Sequence, residues 1–66
     1  MSVVKVIEIT ASSPNGFEDA VRAGIAKASE TVRSIKSAWV SEQTVVVENN
    51  AVTDFRVTMR ISFMLE

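Results

Sequence analysis

The chain of 66 residues contains no cysteine, no histidine and no tyrosine. Without thiol or imidazole it has neither the nucleophile–base pairs of Ser-His and Cys-His catalysis nor the ligands of the common zinc sites, and no disulfide staples it. Its only glycines, Gly16 and Gly24, are too far apart to form a loop that cradles phosphates. The eight acidic residues show no spacing that singles out a pair for acid–base work, so solvated surface charge is the simpler reading and an enzyme is not expected. The formal net charge is −1, and the cations Lys5, Arg22, Lys27, Arg33, Lys36, Arg56 and Arg60 are dispersed along the chain. That distribution offers no footprint for nucleic acid or an anionic membrane. No apolar run approaches the roughly 20 residues of a membrane span, and the N-terminus opens into strand-like sequence without a basic leader, so a cytoplasmic protein is the expectation.

These absences also remove the usual supports of a small fold. The chain reads as a single domain over residues 1–66, a size at which little surface is buried in isolation. Below about 70 to 80 residues the common remedies are disulfides, a structural metal or oligomerisation. The first two being largely excluded by composition, self-association remains. A hydrophobic content of 47% suits a subunit whose core continues into a neighbour.

What is present is strongly patterned. Val3 to Thr10 is β-branched and apolar with single charges at Lys5 and Glu8, which predicts a strand. Ala11 to Gly16 reads as a loop in which Ser13 or Asn15 caps the following helix. From Phe17 the apolar stripe Phe17, Ala20, Val21, Gly24, Ile25, Ala28 and Val32 predicts an amphipathic helix of about five turns. Glu18 and Asp19 in its first turn, with Arg33 and Lys36 near its end, match the helix dipole. Gly24 costs a helix roughly 1 kcal/mol relative to alanine, so its place on the stripe implies close approach of the helix backbone to a sheet. Two strand-like stretches follow, Ser37 to Glu48 and Ala51 to Leu65, and Asn49-Asn50 between them suits a type I′ turn. In the last stretch Phe55, Val57, Met59, Ile61, Phe63 and Leu65 alternate with polar residues, so one face packs under the helix. The expected fold is α+β, a three-stranded antiparallel sheet in β-α-β-β order curled around one helix.

An unbroken two-residue hairpin pairs residues from Glu48 with Ala51 back to Ser37 with Ser62. It places Ser37, Trp39, Ser41, Gln43, Arg56, Thr58, Arg60 and Ser62 on the face away from the helix. Trp39 is then opposite Arg60, and Gln43 opposite Arg56.

The segments VIEI (Val6 to Ile9), SSPNGFEDA (Ser12 to Ala20) and VTMRISFMLE (Val57 to Glu66), in this order of elements, resemble the dodecin family over nearly the whole chain. The resemblance implies a hollow homododecamer that stores or sequesters a small ligand, with a flavin such as FMN or riboflavin as the first expectation. Flavin-binding dodecins stack the ring on a Trp early in the second strand and bind its polar edge with a Gln in the third. Those positions fall here on Ser37 and Arg56, both on the face that alternation selects. Six residues of strand, roughly 20 Å, separate them, so a shared site lies between protomers. Trp39, two residues on, either stacks a ligand from a shifted position or lays its ring on Arg60. Arg56 either binds an anion through its planar fork or bridges to Asp54 or Glu42.

Loss of the stacking Trp together with Arg at the Gln position is similar to the calcium dodecins, which makes a flavin-free calcium-binding or purely structural shell the alternative. Calcium needs six to eight oxygen ligands, and the candidates are Glu8, Glu42, Asp54 and the Glu48-Asn49-Asn50 turn, combined across subunits. Coenzyme A, held by bacterial dodecins near their threefold axes, has no residue pattern here that carries over.

Overall fold

The computed structural model of the chain describes residues 2–65. Strand β1 (Val3–Ser13) leads into helix α1 (Phe17–Ala28), and the long strands β2 (Ile35–Glu48) and β3 (Ala51–Leu65) form a hairpin. The sheet is antiparallel in the order β1-β3-β2, so the last strand lies at the centre. Its alternation explains this position. Val57, Met59 and Ile61 are fully buried, and with Ala20 of the helix they form the core. Ile9, Ala11, Phe17, Val21 and Ile25 pack around them. Phe17 meets Phe55 edge to face at 5.2 Å. The close approach expected at Gly24 is present: a Cβ there would lie 2.6 Å from the Met59 methyl and 2.9 Å from the Ala11 Cβ.

Four boundaries differ from the sequence reading, one being the start of β2, which lies at Ile35 and not at Ser37. β1 continues past Thr10 to Ser13, because Ser12 and Ser13 still pair with Arg56 and Phe55. Neither Ser13 nor Asn15 takes the N-cap; Gly16 holds it without a side-chain cap, at φ 148°, a backbone conformation that suits glycine. Ser13 instead organises the corner from inside the strand. Buried to 4% exposure, its hydroxyl accepts from the Asn15 N–H at 3.0 Å and donates to the Asp19 carboxylate at 2.6 Å.

The helix is also shorter than five turns, closing at Ala28. Ser29 donates its hydroxyl to the Ala26 carbonyl at 2.7 Å, and the N–H groups of Glu30 and Thr31 reach back three residues to Lys27 and Ala28. Side-chain competition for carbonyls and this tightening end the helix. Lys27 is therefore the basic residue of the last turn, while Lys36 lies in β2. Ser34, at φ 59°, turns the chain into β2.

The hairpin closes as expected, with Asn49 and Asn50 at φ 53° and 63°, the two positive angles a type I′ turn requires. The hairpin outruns the helix, which rests mainly on β1 and β3. The molecule extends 52 × 19 × 14 Å with a radius of gyration of 13.6 Å, against about 11 Å for a compact chain of this length. Every residue of β2 except Ile35 and Val46 is exposed. Among the described residues no helix is long and apolar enough to cross a membrane.

Candidate functional site

The sheet face away from the helix is built from rows of cross-strand partners, since residues directly opposite each other share a face. Reading from β1 through β3 to β2, the first row is Val6, Ser62 and Ser37, and the second is Glu8, Arg60 and Trp39. The third is Thr10, Thr58 and Glu42, and the fourth Ser12, Arg56 and Thr44. Asp54, opposite Val46, follows on β3.

The expected register holds at both ends of the hairpin, with Ser37 opposite Ser62, Trp39 opposite Arg60 and Glu48 opposite Ala51. Between them it is shifted by one. An extra residue in β2 at Ser41 breaks the ladder between Val40 and Glu42, and an extra residue in β3 at Thr53 restores it. Both are bulges satisfied by their own hydroxyls: Ser41 donates to the Thr58 carbonyl at 3.2 Å and Thr53 to the Val46 carbonyl at 3.3 Å. The consequence corrects the sequence reading. Gln43 sits opposite Val57 on the helix side, not opposite Arg56, and Ser41 has no cross-strand partner. Glu42 and Thr44 occupy the open face instead. Glu42 is a candidate calcium ligand in the sequence, but alternation does not place it or Thr44 on this face, because a bulge is set by long-range pairing; its faint local mark is the run Val45-Val46-Val47, which breaks alternation.

The candidate side chains have distinct environments. Ser37 and Ser62 share a hydrogen bond between their hydroxyls at 2.6 Å, and Ser62 is nearly buried. No ring stands in this row. Trp39, in the next row, is 47% exposed. The Arg60 head group turns towards β1, where its Nε lies 3.5 Å from the Glu8 carboxylate, so the recorded partner of this guanidinium is Glu8 and not the Trp39 ring. This pair is more than half exposed and contributes little to stability. Arg56 makes no ion pair among the described residues, neither with Asp54 nor with Glu42. Its neighbours across the strands are the hydroxyl-bearing Ser12 and Thr44.

Glu8, Glu42 and Asp54 fall in separate rows, and no group of three acidic residues that could hold a metal ion occurs among the described residues. Arg56 lies four residues along β3 from Arg60, the partner of Trp39, a separation of about 13 Å. The indole and the Arg56 guanidinium thus start from backbone positions two rows apart on the same face. What one protomer offers is an open, largely polar face with one exposed indole and one guanidinium that has no carboxylate partner among the described residues.

Nearly the whole chain matches known proteins in sequence and in fold. The family model Dodecin matches residues 3–66. The calcium dodecin of Mycobacterium tuberculosis is 34% identical over 65 residues, covering 98% of this chain and 92% of that protein. Its crystal structure, described as that of a calcium-chelating antigen with a novel calcium-binding site, superposes with a TM-score of 0.86 at 32% identity, covering 98% of this chain and 93% of that one. The dodecin of Streptomyces coelicolor superposes with a TM-score of 0.95 at 29% identity, over 98% of this chain and 93% of its own. The sequence is thus nearer to the calcium dodecin and the backbone nearer to the Streptomyces protein. By the family match over residues 3–66, and by the element order and sheet topology of the described residues, the chain belongs to the dodecin family.

Proposed function

We propose that the protein is a non-catalytic subunit of a closed homo-oligomer, a dodecamer by family resemblance, and that the open sheet face holds a small planar ligand between protomers, FMN being the first to try. The exposed Trp39 carries this reading. An indole left 47% exposed on a largely polar face is a ready stacking surface, and ring stacking contributes roughly 1 to 3 kcal/mol. Arg56, with no carboxylate partner among the described residues, supplies N–H donors to oxygen atoms on the ligand. The open face is uncovered in one chain, so a symmetry-related protomer supplies the other wall of the site.

A second reading rests on the relationship to the calcium dodecin and on Ser37, where the family's stacking ring is missing. In it the particle binds calcium through carboxylates contributed by several protomers, with Glu8, Glu42 and Asp54 as the donors, and takes no flavin. The two are separated by light scattering coupled to size exclusion, followed by titration of FMN fluorescence. A large particle that quenches FMN supports the first reading. A large particle that leaves FMN fluorescence unchanged removes it, and calorimetry of chelator-treated protein with calcium then decides the second, where absence of heat counts against calcium. A monomer would overturn both.

A further inference from the structure

The corner between β1 and α1 contains the dipeptide Asn15-Gly16. Loss of the asparagine side-chain amide begins when the backbone nitrogen of the next residue attacks the side-chain carbonyl carbon. Glycine in that next position leaves the nitrogen uncrowded, because it lacks Cβ. A fold suppresses the reaction when it holds that N–H in a hydrogen bond or pins the asparagine side chain, and here it does neither. Asn15 is exposed, and among the described residues its own N–H is the only group through which it is bonded, to the Ser13 hydroxyl. The Gly16 N–H donates to no partner among the described residues; only its carbonyl is engaged, by the Ala20 N–H at 3.0 Å. The space around Gly16 is open, with nothing within 4 Å of where a Cβ would stand. The chain's other two asparagines differ. Asn49 and Asn50 are followed by residues that carry a Cβ, and Ala51 is paired with Glu48 to close the hairpin.

We propose that Asn15-Gly16 is a site of spontaneous deamidation and isoaspartate formation in the folded protein. The Gly16 nitrogen loses its proton and forms a bond to Asn15 Cγ; the bond from Cγ to the side-chain nitrogen breaks, and ammonia leaves carrying that proton. The product is a five-membered succinimide. Water then adds at one of its two carbonyl carbons. Opening at Cγ gives aspartate, while opening at the backbone carbonyl carbon gives isoaspartate, in which the main chain runs through the side-chain carbons. Net, asparagine and water become a carboxylic acid and ammonia, with no oxidant or metal. Either product adds a negative charge beside Glu18 and Asp19 at the start of α1. Isoaspartate also lengthens the main chain by a methylene two residues from the buried Ser13, whose hydroxyl ties Asn15 to Asp19.

The test is ageing of the purified, assembled protein in mildly alkaline buffer, followed by tryptic mass mapping and methylation with an isoaspartate-specific carboxyl methyltransferase. The peptide from Val6 to Arg22 is expected to gain about one dalton and to accept methyl groups. The peptide from Ser37 to Arg56, which holds Asn49 and Asn50, should lag well behind. Asn15→Gln, exposed and close in chemistry, should abolish the change without altering the particle. The synthetic peptide spanning Val6 to Arg22 gives the unprotected rate. A folded rate within about tenfold of it supports the proposal, and a folded rate slower than that shows that the corner is protected and overturns it.

Discussion

The helix backbone comes closest to needing the space of a missing side chain at Gly24, where a single added methyl group decides whether the helix still reaches the sheet. The Met59 methyl, 2.6 Å from a built Cβ, is the end of a flexible side chain and can swing aside; the Ala11 Cβ at 2.9 Å moves only with β1. Gly24→Ala gains about 1 kcal/mol of helix propensity and loses about 1 to 3 kcal/mol to overpacking. The expected net result is a lower melting temperature by roughly 5 °C in a thermal melt, and a melting point raised by the substitution would contradict the assigned helix face. A second residue-scale prediction concerns Ser37, whose hydroxyl is spent on Ser62 in the row next to Trp39. Ser37→Trp should tighten FMN binding by about tenfold or more if stacking is what this position lacks. A fluorescence titration showing no gain would move control of the site to Arg56. Gly24 was legible in the sequence because a costly residue stood on an apolar stripe. The Arg60–Glu8 contact was not, since it depends on β1 lying beside β3, which no local pattern states.

Among the elements, the hairpin shows where reading by alternation stops. β3 alternates cleanly, and its extent and core side followed from that alone. β2 does not, and its central five residues, Glu42 to Val46, were placed one step out. The reason is that two bulges cancel: the turn and the Ser37 end agree with an unbroken ladder, so neither end betrays the shift between them. The end of the helix was hidden for a different reason, as Val32 continues the apolar spacing although Ser29 has already drawn a carbonyl out of the ladder. The bulge yields a sharp prediction. Deleting Ser41 leaves Val40 opposite Met59 and Glu42 opposite Thr58, so every other pair and face survives, and the cost is one hydroxyl bond of about 1 kcal/mol. The variant should fold and melt within several degrees of the parent by circular dichroism. In an unbulged strand the same deletion would turn half of β2 inside out, and an unfolded variant would speak for that arrangement.

On the scale of the whole molecule, the numbers argue against life as a single subunit. β2 has almost no covered residue, and Val40, Val45, Val47, Val52 and Trp39 lie 38% to 55% exposed along a hairpin that projects past the helix. Burying apolar area is worth roughly 25 cal/mol per Å², and a neighbouring subunit is the nearest source of such cover. Folding and assembly are then linked through mass action. The melting temperature should rise with protein concentration, by several degrees over a hundredfold range in calorimetry. A melting point independent of concentration, in a sample that light scattering shows to be monomeric, would refute the linkage.

The position of β3 has a consequence for how the protein is made. The strand at the centre of the sheet, which carries Val57, Met59 and Ile61, starts only at Ala51. A ribosome delivers β1, α1 and β2 before it, and none of these pairs with another in the finished sheet except through β3. The nascent chain therefore lacks the main body of its core until the final strand leaves the exit tunnel, when the hairpin closes at Asn49-Asn50 and β1 pairs along its far side. Translation stalled ahead of Ala51 leaves α1 with β1 alone to pack on and both outer strands without the neighbour that pairs them.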